Sequence, residues 1–245
     1  MFYRRLISSL VLTLALAAGV LAANDTNTGA SDKTRQRTVA ISEPLNLAIL
    51  IQDDLVSQVG NELGVTRDFI RSLPSGSRVM VGYITSGTLQ VRQPFTSDLE
   101  AAARSLRVVR ASTAVSPFNP YVEVIEALKT FDANNKGRNA ILLISDGLDV
   151  SRGFDVTSSA HSLDLERAIR KAKEREVAVY TFYAPSVGLT SHSRLAVSYG
   201  QNSLNRLADD TGGKAYFQGT SGFVTFDSYF KRLRETLNEQ YARAF

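Results

Sequence analysis

Six apolar runs of strand length, set between amphipathic helical patterns, constrain this chain more than any other feature. They are Leu45–Ile51 (LNLAILI), Arg78–Ile84 (RVMVGYI), Thr88–Arg92 (TLQVR), Ala140–Ile144 (AILLI), Val177–Tyr183 (VAVYTFY) and Lys214–Phe217 (KAYF). Most are continuous rather than alternating, as strands covered on both faces must be, since every side chain then enters an apolar layer. Between them, Val56, Val59, Leu63, Phe69 and Ile70 recur near helical spacing, as do Leu99, Ala102 and Leu106. The same spacing links Val122, Ile125 and Leu128, then Leu165, Ala168, Ile169 and Ala172. Strand, helix, strand in succession predicts an α/β fold: a doubly wound, mostly parallel central sheet with helices on both faces.

Local punctuation agrees with that reading. Asn119-Pro120 predicts a helix start, because the Asn side chain can satisfy a free amide and Pro has none to leave unpaired. Gly212-Gly213 predicts the stop of a helix carrying Leu204, Leu207 and Ala208. Phe226, Phe230, Leu233, Leu237 and Tyr241 form one stripe, which predicts a terminal helix docked on the sheet.

The first residues read as an address. In residues 1–23, Arg4 and Arg5 precede an apolar run from Leu6 to Leu21 and the small residues Ala22 and Ala23, the pattern of a secretory signal peptide. Residues 24–43 are polar and aperiodic, which predicts a flexible leader, and 44–245 then form the folded domain. The expected location is outside the cytoplasm, periplasmic or secreted, with membrane attachment only if the leading segment is retained as an anchor.

Composition excludes several chemistries. The chain has no Cys, so disulfides, thiolate nucleophiles and Cys-held zinc are ruled out, and only His161 and His192 remain for imidazole chemistry. The count of 28 Lys+Arg against 24 Asp+Glu gives +4, and removing Arg4 and Arg5 with the signal leaves +2. So weak a field makes nucleic acid an unexpected partner. Gly212-Gly213-Lys214 lacks the preceding Gly and following hydroxyl of a phosphate loop. No Gly-x-Ser-x-Gly elbow accompanies the two His, which lie in polar stretches and read as exposed, so no enzyme is expected.

In open parallel sheets ligands bind beyond the carboxyl ends of the strands. Two acid-rich turns leave that edge: Gln52-Asp53-Asp54-Leu55-Val56-Ser57 and Ser145-Asp146-Gly147-Leu148-Asp149. Their carboxylates and hydroxyls are hard oxygen ligands of the type that Mg²⁺, Mn²⁺ or Ca²⁺ takes. The plainer alternative makes Asp53 or Asp54 a helix cap and Asp146-Gly147 a turn. The stretches Gly147–His161 and Ala184–Gln201 are long and rich in Ser, Gly and Thr, yet carry Phe154, Val156, Val187, Leu189 and Tyr199, and read as candidate recognition loops.

The ordered set LAILIQDDLVS, RVMVGYITSG, NAILLISDGLD, ERAIRKAKEREVAVYTFY and NSLNRLADDTGGKAYF resembles a von Willebrand factor type A (VWA) domain, and in particular exported bacterial VWFA-related proteins, over residues 43–242. The resemblance implies a protein-binding module with a metal-ion-dependent adhesion site. That site is an Asp-x-Ser-x-Ser turn, a Thr before a central helix and an Asp after the fourth strand. Carried over, Asp53 matches the first Asp and Ser57 the last Ser, while Leu55 stands where the middle Ser belongs. Asp146 matches the final Asp, and Asn119 falls at the Thr position, with Thr113 and Ser116 as alternatives. The implied metal set is therefore Asp53, Ser57, Asn119 and Asp146 around Mg²⁺ or Mn²⁺, with Asp54 and Asp149 able to substitute and a partner protein's carboxylate completing the shell. The alternative is a metal-independent structural domain that scaffolds an envelope assembly through its helical faces.

Overall fold

The computed structural model describes residues 40–110, 119–132, 137–151, 153, 162–218 and 225–244. The expected signal peptide (1–23), most of the expected leader (24–39), Thr113, Ser116, Phe154, Val156 and His161 lie outside the described residues.

The strands are β1 (Leu45–Gln52), β2 (Arg78–Thr85), β3 (Thr88–Thr96), β4 (Arg138–Ser145), β5 (Val177–Tyr183) and β6 (Ala215–Tyr216). They form one sheet in the order β3-β2-β1-β4-β5-β6. All neighbouring pairs are parallel except β2 and β3, which join antiparallel through Ser86-Gly87. Both turn residues have positive φ (51° and 69°), which matches a tight hairpin turn to the twist of its strands. β3 alone departs from the buried pattern: it is an edge strand, mostly exposed, and it runs on to Thr96 past the expected Arg92.

The helices are α1 (Gln58–Arg71), α2 (Leu99–Ser105), α3 (Pro120–Leu128), α4 (Leu163–Glu174), α5 (Leu189–His192), α6 (Arg194–Asp210) and α7 (Asp227–Ala244). Side chains along β1 alternate between two cores. Leu45, Leu47, Ile49 and Ile51 pack with residues of α1, α2 and α7. Ala48 and Leu50 pack with residues of α3, α4 and α6. The doubly wound sheet with helices on both faces is thus what the buried runs require, and its strand order reverses between β1 and β4, the switch point beyond whose carboxyl ends ligands bind in open sheets of this kind.

The terminal helix docks as its stripe predicts. Phe69 of α1 stacks on Phe230 at 4.3 Å, and Phe182 of β5 meets Phe226, Tyr229 and Phe230 edge-on or tilted within 5.5 Å. The fold reaches into the end of the expected leader: Ile41 is buried in the first core, and Asn238 of α7 bonds the Ser42 amide and the Ala40 carbonyl. The expected loop Ala184–Gln201 is shorter than its composition suggested, because Ser193 caps α6 through the Ala196 amide and the helix starts at Arg194.

Candidate functional site

β1 ends at the switch point, and the turn Asp53-Asp54 that follows sends its two side chains to opposite sides. Asp53 continues the series of Ile49 and Ile51 and meets Arg107, which follows α2. The Arg107 guanidinium holds both carboxylate oxygens, Nη1 to Oδ1 at 2.7 Å and Nη2 to Oδ2 at 2.8 Å. The Thr85 hydroxyl and the Arg110 amide each donate a further bond at 3.1 Å. Arg107 also lies 4.0 Å from the Tyr83 ring centre, and the Tyr83 hydroxyl donates to the Arg107 carbonyl. Burial alone pushes the Asp53 carboxyl up, but Arg107, the Arg110 amide and Thr85 outweigh it and hold it below the usual carboxylate range.

Gln52 and Asp54 fall on the other side, with Asp146. The Gln52 carbonyl oxygen accepts from the Ser145 hydroxyl (2.5 Å) and the Asp146 amide (3.2 Å), while its amide nitrogen donates to Asp54 at 2.7 Å. Asp146 is fully enclosed. Its Oδ1 accepts from the Leu148 amide at 3.1 Å, and its Oδ2 faces the Thr190 hydroxyl of α5 at 3.4 Å. Burial raises the Asp146 carboxyl above its ordinary value despite those bonds. The Asp54 carboxyl is pushed up to about 6, by burial first and by Asp146 second. Tyr183, at the end of β5, has the one buried side-chain polar atom without a hydrogen-bond partner among the described residues.

The segment after β5 closes over this side. Val56 N donates to the Pro185 carbonyl at 3.0 Å, Val187 N to the Asp54 carbonyl at 2.9 Å, and Leu55 pairs with Ser186 in an antiparallel bridge. Leu55, expected as a lost ligand, is instead fully buried in the first core. From below, Gly147 takes φ +74° and abuts Gly200 of α6, where a Cβ would lie 1.9 Å from the Asp146 carbonyl oxygen. Only glycine permits that approach.

No hydrogen bond or ion pair joins the four residues of the implied metal set to one another among the described residues. Asp53 is claimed by Arg107, and Ser57 is exposed at the start of α1 without a capping bond from its side chain. Asn119 caps α3 through the Tyr121 amide and turns its NH₂, a donor, to Asp149 (3.2 Å) and Asp164 (2.9 Å). Asp149 is engaged further by Ser151 and Ser162. No group of three or more acidic, His or Cys side chains is arranged to hold a metal among the described residues. These positions do not fit the ion that the resemblance implies.

Counting strand parity would have found part of the difference. Gln52 and Asp54 share the parity of Leu50, so an Asp-x-Ser-x-Ser turn laid on the buried side starts at Gln52, not Asp53, and its middle Ser position is Asp54. Arg107, Ser186, Thr190 and Gly200 carry no such signal, since they come from distant segments.

No protein-family profile and no curated protein matches the chain. Solved structures do. An aerotolerance-related membrane protein from Bacteroides fragilis superposes with a TM-score of 0.53 at 13% identity, over 80% of this chain and 99% of that one. The conserved hypothetical protein BatB from Bacteroides thetaiotaomicron gives 0.53 at 15% identity, over 80% and 99%. A von Willebrand factor type A protein from Catenulispora acidiphila gives 0.53 at 17% identity, over 80% of this chain and 42% of that chain. At such identities the likeness speaks for the fold. With the strand order, the two helical layers and these superpositions in agreement, the chain has a von Willebrand factor type A fold.

Proposed function

We propose that this chain is an exported, non-catalytic VWA-type module that binds a partner protein at the carboxyl edge of its sheet without a resident divalent cation. The observation that carries the reading is the two-point grip of Arg107 on Asp53. A guanidinium already neutralises that acid, and on the other side of β1 a neutral Gln52 faces Asp146, so one carboxylate of the implied shell is spent and its place by parity is held by an amide. Hard divalent ions need several convergent, deprotonated oxygens.

Calorimetric titration of Mn²⁺ and Mg²⁺ tests the reading. The expected result is no saturable heat and no change in melting temperature. Saturable heat that disappears in Asp146→Ala, with both proteins folded, would replace it with the metal-dependent version. Export rests on the leading segment. Fractionation of expressing bacteria with mass spectrometry of the product should find the chain outside the cytoplasm, beginning after Ala22 or Ala23.

A further inference from the structure

We infer that a cavity at the amino edge of the sheet, between the C-terminal ends of α3 and α4, binds a small zwitterion with an apolar body, such as a free apolar dipeptide. The cavity has a volume of about 710 Å³ and lies at the opposite end of the strands from Asp53 and Asp146, so it is separate from the partner surface proposed above. Ile125, Leu128 and Phe131 supply its apolar wall, and Asn139, Arg175 and Glu176 its uncommitted polar groups.

The other charges around the mouth are already engaged. Lys129 holds Glu126 at 2.6 Å, Lys171 holds Glu174 at 2.7 Å, and Asp132 has an interaction of its own. Arg175 donates from Nη1 to the Leu128 carbonyl at 3.1 Å, and among the described residues neither it nor Glu176 forms an ion pair, although both are exposed. Arg175 acts on Glu174 only through its field, behind Lys171 and Arg170. The Asn139 oxygen accepts from the Asn46 side chain at 3.0 Å, so what Asn139 can offer a ligand is its NH₂ group.

Glu176 carries a second mark. It follows α4 at the position where a helix is commonly ended by glycine, with φ +53° and its amide bonded to the Lys173 carbonyl at 3.1 Å. The chain ends α6 in the same way, but on Gly212 at φ +78°. A side chain in that left-handed region costs free energy that glycine avoids. The other described non-glycine residue with positive φ, Ser86, sits in a tight hairpin turn. A carboxylate kept at a strained position, lining a cavity beside an unpaired guanidinium, has the marks of a ligand contact.

The pair of charges selects the ligand. A simple anion would meet Glu176 and a simple cation Arg175, whereas a molecule with both charges satisfies each. Its carboxylate goes to Arg175 and the Asn139 NH₂, its ammonium to Glu176, and its apolar side chains onto Ile125, Leu128 and Phe131. The volume lies within the range of small-molecule sites and exceeds what one amino acid fills, which favours a dipeptide.

The test is calorimetric titration of the dipeptide Leu-Phe, free, N-acetylated or C-amidated, into the protein. Free Leu-Phe should bind saturably with a Kd of about 10–100 μM, and each cap should weaken it by about tenfold. Arg175→Gln and Glu176→Gly should each lose about tenfold for the free dipeptide. The N-acetyl form should bind Glu176→Gly no worse than free Leu-Phe does, and the C-amide should do likewise with Arg175→Gln, which assigns each end of the ligand to its residue. Glu176→Gly should melt about 2 °C higher than the unaltered protein, because it relieves the positive φ, so its lost binding is not lost folding. Arg104→Gln, on α2, should bind normally. No saturable heat with Leu-Phe, equal affinity for the capped forms or for Gly-Gly, or normal binding by both cavity variants overturns the inference. So does an equal loss in Arg104→Gln, or a lower melting temperature in Glu176→Gly, which would mean that the carboxylate serves the fold rather than a ligand.

Discussion

Asp53 and Asp54 are neighbours in sequence and opposites in setting. Asp53 turns to one face of the sheet, receives a guanidinium on both oxygens and sits below its ordinary pKa. Asp54 turns to the other, meets the buried Asp146 and is raised to about 6, with the neutral Gln52 amide as its nearest donor. One step along the chain separates an acid stabilised by a paired charge from an acid raised first by burial and then by a like charge. At the end of a buried strand, parity decides which acid finds a cation, and the chain has placed its arginine on the side opposite Asp54.

The sharpest way to break the contrast is to remove its cation. Arg107→Ala removes the two-point counter-charge from buried Asp53, leaving only the exposed Arg110 Nε at 3.8 Å, and should cost about 3 kcal/mol of stability. Arg107→Lys, which keeps charge but not the fork, should recover only part of it. Urea denaturation measures both, and a loss no larger than that of an exposed arginine would show that Asp53 is not held as argued. On the Asp146 side, backbone contact takes the place of charge. Gly200→Ala forces a methyl to within 1.9 Å of the Asp146 carbonyl oxygen and should cost about 3 kcal/mol as α6 is pushed away.

The two acids should also respond to pH with opposite signs. Asp53 has a folded pKa below its ordinary value of 3.8, so its stabilisation is complete above that value and is lost as pH falls through the folded pKa. Asp54 has a folded pKa of about 6 against the ordinary 3.8, so the folded state holds its proton more tightly. Its contribution is complete below 3.8 and is lost as pH rises to about 6. Asp54→Asn should therefore flatten the decline across that window and stabilise the protein at neutral pH by about 2 kcal/mol. Asp53→Asn should do neither. Thermal melts of the two variants at stepped pH separate the cases, and parallel profiles would erase the distinction.

The contrast also marks how far the sequence could be read. The sheet was legible because strands buried on both faces must be apolar throughout, and LNLAILI or VAVYTFY has few other uses. The same uniformity concealed the site. With apolar residues on both faces, β1 carries no alternation from which to read which side Asp53 leaves on, and its match to the first acid of the resemblance is one residue out of step with the Asp146 side. Arg107 gave no warning either, because its guanidinium lies 54 positions from Asp53 in sequence and the contact depends on how α2 returns to the carboxyl edge. Asn119 shows the reverse. Its cap was readable from Asn-Pro alone, whereas its two acid partners, Asp149 and Asp164, come from segments that only the fold brings together.

The smallest expected effect tests the residue that the resemblance favoured and the geometry does not. Ser57 precedes α1 at the position where a hydroxyl normally bonds a free amide, yet its backbone is helical there (φ −59°, ψ −25°) and its side chain makes no such bond. Asn119, extended at φ −141°, does bond the Tyr121 amide. Both belong to the one ligand shell that the resemblance implies, but their backbones differ in what they let a side chain reach, because capping needs a non-helical residue whose oxygen turns back on the first turn. Ser57→Ala should change stability by less than about 0.5 kcal/mol, whereas Asn119→Ala, losing a cap and two bonds to carboxylates, should cost about 1 kcal/mol or more. A Ser57→Ala loss as large as that of Asn119→Ala would mean that its hydroxyl has a partner at the carboxyl edge, and would reopen the shell on the Asp54 and Asp146 side, where an oxygen ligand is short.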